Sequence, residues 1–230
     1  MKFDAYTIKA RIAPASVTAL VPMLVFNHFF ISEEFRKLIG NILGLKLFSA
    51  VTISTISIFF LAEFSRAISK QLFQKIMFQD EMRMPTTEFM LYADFTFSED
   101  FKNRFRARVL KDFKVTLPTS DEEAANCSES RKRIAESITS IRKKLHSNSF
   151  LLQHNIEYGA IRNLLGGAVL AVVLSGLNVL MFTEYVANQF AVHISVVLII
   201  LYSTLIVTGP WFVKVYGRSY AKILFREYMK

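Results

Sequence analysis

The sequence predicts an all-α membrane protein, with four transmembrane helices and a small, mostly helical cytoplasmic domain between the second and third. Three observations lead there. Of 230 residues, 52% are hydrophobic and yet 20% are charged, at a mean hydropathy of +0.32. The charges avoid four windows, each long enough as a helix to cross a bilayer. Lys and Arg crowd the ends of those windows that face one side, which sets the orientation.

The first window, Ile12 to Ile31, is uncharged and contains Pro14 and Pro22. A proline cannot donate to the carbonyl four residues before it, so the prolines predict a kink, or a helix that starts at Pro14 with one bend. The charged, amphipathic residues Met1 to Arg11 lack a cleavage pattern, so this window is expected to stay in the mature protein. After a polar link, Ser32 to Asn41, the second window runs from Ile42 to Ala62. Its one charge, Lys46, lies near the start, where a lysine snorkels to the headgroups. The third window, Leu164 to Phe182, and the fourth, Tyr185 to Val213, are separated only by Thr183 and Glu184 and form a tight hairpin. The fourth exceeds what a bilayer needs, and Gly209 with Pro210 marks a bend or stop.

Lys2, Lys9 and Arg11 precede the first span, and Arg66, Lys70 and Lys75 follow the second. Arg142, Lys143, Lys144 and Arg162 precede the third; Lys214, Arg218, Lys222, Arg226 and Lys230 follow the fourth. The opposite side holds only Arg36, Lys37 and Lys46. Both termini and the middle segment are therefore expected on the cytoplasmic face of a bacterial inner (plasma) membrane, in a multi-pass chain. The organisation is an N-terminal transmembrane hairpin (1–63), a cytoplasmic helical domain and stalk (64–162), and a C-terminal transmembrane hairpin with a basic tail (163–230). The net charge of +9 reads as these topology-setting cations, with nucleic-acid binding as the alternative. Cys127 is the only cysteine, which excludes an internal disulfide and a cysteine metal cluster and fits a reducing compartment.

In the middle segment no helix breaker occurs from Phe64 to Gln79, so the second span should continue as a stalk. Pro85, Thr86 and Thr87 interrupt it, and Glu88 to Phe97 reads equally as a strand or a helical turn. Ser98 caps a helix from Glu99 to Phe113, with Phe101, Phe105 and Val109 along one face. Pro118 ends that unit, and Thr119 with Glu122 forms a capping box. The apolar stripe Ile134, Ile138, Ile141 and Leu145 then follows at helical spacing. Beyond a weak point at Ser147 and Asn148, the chain from Phe150 should run helically into the third span.

Phosphate-loop, dinucleotide, metalloprotease and nucleophile-elbow signatures are missing, so no enzyme is expected and no cofactor is implied. His154 and Glu157, an i, i+3 pair, read as a polar pair at a helix end rather than as metal ligands. The second span is rich in hydroxyls, which serve packing and back-bonding or line a pore. In the pore reading Ser49, Thr52 and Thr55 repeat around an oligomer axis as hydroxyl rings. One chain has too few helices for its own ion path, so that reading requires a homo-oligomer. Gly167, Ala171 and Ser175 form a small-residue stripe suited to close helix approach. Asn27, His28, Asn178, Glu184 and His193 gather toward the outer ends of the spans. Arg104, Arg106 and Arg108, interleaved with Phe101 and Phe105, and Arg131 with Arg133 are the candidate ligand contacts. Guanidinium beside aromatic faces suits a nucleotide or oligonucleotide; solvated helix faces and anionic membrane lipids are the alternative readings.

The stretches Met84 to Phe97 (MPTTEFMLYADFTF) and Leu152 to Gly167 (LQHNIEYGAIRNLLGG) resemble segments shared by bacterial membrane proteins of this design. In layout the whole chain resembles the small four-transmembrane effectors of bacterial anti-phage defence, some of them paired with nucleotide-signalling enzymes. That resemblance implies an oligomeric effector whose gated channel or pore disrupts the membrane potential. A nucleotide-type ligand, or a soluble protein partner encoded nearby, would control it at the cytoplasmic domain. It carries over no site residue. The alternative is a non-conducting platform that anchors a soluble defence partner.

Overall fold

The computed structural model describes residues 4–30, 46–79 and 81–230, with the side chains of 46–56 left out. The link Ser32 to Asn41 and the start of the second window lie outside the described residues. Every regular element among the described residues is helical, as the sequence predicts. Helix α1 runs Ala5–Val17 and α2 Leu20–Phe30. Helix α3, Lys46–Ile68, passes through a π-helical segment, Ser69–Gln74, into α4, Lys75–Phe78. The helical path expected from Phe64 is therefore continuous, and it ends at Gln79, in the left-handed region at φ 43°. Then come α5 (Pro85–Glu88), α6 (Glu99–Phe113), α7 (Ser120–Ala125), α8 (Cys127–Lys144), α9 (Ser149–Glu184) and α10 (Gln189–Met229).

Two helices are long and apolar enough to cross a membrane: α9, with 36 residues and a window of mean hydropathy 2.2, and α10, with 41 residues and 2.4. At 1.5 Å per residue they are about 54 and 61 Å long, well beyond the ~30 Å hydrocarbon core. Helices α1 and α2 are apolar enough together but bend by 43° at their break, the geometry of a broken span or of a re-entrant loop. Pro210 does not stop α10, which stays helical on both sides of it.

The chain divides into two compact units: Met1–Lys70 with Gly159–Pro210, and Gln71–Tyr158 with Trp211–Lys230. In the first, the break between α1 and α2 follows from Pro22. Its missing N–H leaves the Thr18 carbonyl, which Val21 N–H takes instead at 3.1 Å. That diverts Val21 from Val17, whose carbonyl accepts from the Tyr202 hydroxyl at 2.8 Å. Pro14 likewise cannot serve the Ala10 carbonyl, and Asn163 Nδ2 donates there at 2.6 Å. Side chains of α9 and α10 thus bond carbonyls that the prolines displace, as an apolar environment demands. Ala15, Ala19, Leu61 and Ala62 form one small core, and Ala168, Ala171 and Tyr202 another. A Cβ on Gly166 would lie 1.9 Å from the Ser65 carbonyl oxygen, and one on Gly167 2.1 Å from Thr18 Oγ1. Gly167, Ala171 and Ser175 are thereby close-approach positions, with Ala171 and Ser175 fully buried.

The second unit is built on a core of Phe105 and Val109 from α6, Ile134, Ile138 and Ile141 from α8, and Leu224, Phe225 and Tyr228 from α10. Phe105 meets Phe225 edge-on at 5.1 Å and Tyr228 at 5.5 Å. Ser98 caps α6 through Phe101 N–H, and the Thr119–Glu122 capping box is present, opening α7. Asn126 then interrupts the helix expected to continue into the isoleucine stripe, and its side chain caps α8 through Glu129 N–H at 3.1 Å. The ambiguous stretch from Glu88 resolves into the end of α5 followed by turns.

Candidate functional site

The polar groups of the second unit divide into cations already committed to the fold and cations that are not. Arg106 belongs to the first group. It donates from Nη2 to the Met90 carbonyl at 2.8 Å, and its guanidinium lies 4.1 Å from the Tyr92 ring centre. Burial pulls it below its ordinary pKa. One turn earlier, buried Lys102 donates to the Leu91 carbonyl at 2.5 Å and to the Asp94 carbonyl. Burial lowers its pKa as well, against the pull of Asp94. From α7, Glu123 accepts from Tyr92 N–H at 3.0 Å and Ala93 N–H at 3.3 Å. Together these three side chains clamp the turns at Met90 to Asp94.

The other predicted ligand arginines have comparable employment. Arg104 is 63% exposed and pairs with Asp100 at 3.0 Å on its own helix. Arg108 approaches Asp112 at 3.8 Å and lies over the Tyr228 ring at 5.3 Å. Asp112 is a hub: it accepts from Lys144 at 2.7 Å and from the Tyr228 hydroxyl at 2.9 Å. Those donors, Lys144 foremost, hold its carboxyl below the ordinary range, while burial and Asp112 push the Tyr228 phenol up. Arg133 bonds Glu122 at 3.0 Å and the Thr116 carbonyl at 2.9 Å. Arg131 donates to the Met82 carbonyl at 2.9 Å and pairs with Glu88 at 3.7 Å. The five arginines do not converge on one ligand: Arg104 stays with its own helix, and the other four each reach a different partner elsewhere. Ser49, Thr52 and Thr55 fall on α3, but their side chains lie outside the described residues. His154 and Glu157 meet at 3.2 Å as the polar pair expected.

The structure brings together a different set. A cavity of about 310 Å³ is lined by Arg83, Lys214 and Arg218 with Glu88, Pro85 and Phe89. A second cavity of about 370 Å³ shares Arg83 and Glu88 and is lined further by Arg131, Met82 and Cys127. Arg83 follows the left-handed turn at Gln79 and Glu81, and Lys214 and Arg218 stand one turn apart on α10. In the sequence Lys214 and Arg218 read only as topology cations, and Arg83 carried no signal. The clue was their four-residue spacing without an acidic neighbour on the same face, which becomes informative once the partner segment is known.

No family model, curated protein or solved structure matches this chain.

Proposed function

We propose that the chain is an integral membrane effector of bacterial antiviral defence. It spans the plasma membrane four times, with both termini and the helical unit in the cytoplasm. It assembles into an oligomer whose gated pore disrupts the membrane potential when an anionic ligand or a protein partner engages that unit. The observation that carries this reading is the change of character along α10. Before Pro210 it exposes Phe190, Val197, Ile200, Leu201 and Val207. After it, Leu224, Phe225 and Tyr228 are buried in a packed core. A helix exposing so many large apolar side chains is at home in lipid, whereas its second half is that of an ordinary soluble domain. The exposed Val173, Leu177 and Leu180 of α9 support the same reading. The Lys and Arg bias supports the orientation, the second-span hydroxyls Ser49, Thr52 and Thr55 the pore, and the layout resemblance the defence role.

The test is the membrane potential of bacteria expressing the chain, with and without its neighbouring genes, during phage challenge. Depolarisation that Thr52→Leu abolishes is the expected result. Unchanged potential with protection intact overturns the pore and leaves the helices as an anchor for a soluble partner.

A further inference from the structure

We infer that the cleft of Arg83, Lys214 and Arg218 binds a phosphate group, supplied either by an anionic lipid headgroup or by a soluble phosphate compound. The lipid source rests on the membrane reading above; the cleft itself does not.

Charge is the first argument. The cavity lining holds three cations and one carboxylate, Glu88, and that carboxylate already pairs with Arg131 at 3.7 Å. Arg83, Lys214 and Arg218 have no ion-pair partner among the described residues, whereas Arg131, Arg133, Arg142 and Lys144 each hold a carboxylate. Lys214 and Arg218 are like charges at i, i+4, an arrangement that destabilises a helix unless an anion lies between them.

Geometry is the second. The Arg218 guanidinium rests over the Phe89 ring at 5.3 Å. That cation–π contact restrains the guanidinium without using its N–H donors, which suits an oxyanion with several acceptor oxygens. Lys214 and Arg83 add mobile point charges from the helix and the turn. Position is the third. Lys214 comes three residues after Trp211, about 5 Å along the axis, and Trp211 and Phe212 are 64% and 40% exposed. Exposed aromatic residues at the end of an apolar helix mark the headgroup layer, where basic pockets meet lipid phosphates.

The experiment uses the full chain in two arms. In nanodiscs of phosphatidylcholine with or without phosphatidylglycerol, native mass spectrometry counts retained phosphatidylglycerol. In detergent, inorganic pyrophosphate is titrated against the fluorescence of Trp211, the only tryptophan. The variant Arg83→Gln/Lys214→Gln removes two exposed charges of the cleft; Lys222→Gln/Arg226→Gln removes two exposed charges of α10 outside it. Lys214→Gln alone serves should the double variant fail to fold. The cleft variant should lose affinity about tenfold or more for one probe, while the control stays within about twofold. Loss of lipid retention identifies a headgroup; loss of pyrophosphate binding identifies a soluble phosphate. Equal behaviour of the two double variants with both probes overturns the proposal, as does no binding by the wild type. A chain that alkaline carbonate strips from membranes refutes the membrane reading separately, leaving the pyrophosphate arm valid.

Discussion

Replacing Arg106 by Met separates a fold clamp from a ligand contact. The substitution keeps an unbranched apolar stem and removes the guanidinium, with its charge, its bond to the Met90 carbonyl at 2.8 Å and its cation–π contact with Tyr92 at 4.1 Å. A hydrogen bond from a charged group contributes about 1.5–3 kcal/mol, and a partly desolvated cation–π contact about 1 kcal/mol more. Against that loss, Arg106 Nε and Nη1 are buried without a hydrogen-bond partner, so removing the guanidinium recovers part of its desolvation cost. The recovered part is about 1–2 kcal/mol, leaving a net destabilisation of about 1–2 kcal/mol. That corresponds to a roughly 5–30-fold larger locally open population. Hydrogen exchange read by mass spectrometry on the peptide covering Met90 to Asp94 measures it. Arg104→Met, which removes only an exposed pair with Asp100, should change the same peptide less than about twofold. The reasoning is refuted if both variants exchange alike while Arg106→Met lowers pyrophosphate affinity, because Arg106 would then be a ligand contact.

Two further outcomes follow from the same structure. The Asp112 carboxyl is held below its ordinary value of 3.8, so its contribution is present above that pH and lost as pH falls through the folded value. The Tyr228 phenol is raised above its ordinary 10.0, so its contribution is intact below that pH and lost as pH rises through the folded value. In melting temperatures recorded against pH, Asp112→Asn should flatten the acid limb and Tyr228→Phe the alkaline one; limbs unchanged by either variant would dismiss the hub. In the first unit, Gly166→Val should abolish the folded protein in detergent size-exclusion profiles, because a Cβ there meets the Ser65 carbonyl at 1.9 Å. Gly176→Ala meets nothing within 4 Å and should run as wild type; a tolerated Gly166→Val would disprove the close approach of α3 and α9.

Local signals in the sequence determined the elements. Ser98 and the Thr119–Glu122 box placed helix starts, because a cap needs only residues three apart. Pro22 placed the break between α1 and α2, because a missing N–H acts on a carbonyl four residues away. The stripe from Ile134 to Ile141 announced a buried face, and the two long apolar runs announced α9 and α10. Only the tertiary structure decided what each face meets. Periodicity says that a side is buried, never against what, so nothing local brought Leu224, Phe225 and Tyr228 into one core with Phe105. The same holds for charge. Arg104, Arg106 and Arg108 look alike in a row, yet Arg106 is spent on Met90, Arg104 on its neighbour Asp100, and Arg108 beside Asp112. Arg83, Lys214 and Arg218 gather in a cleft across more than a hundred residues of sequence. Whether a cation is free depends on the counter-charge that folding delivers, and some of those counter-charges, Glu81 for Arg142 and Asp112 for Lys144, come from segments far away in the chain.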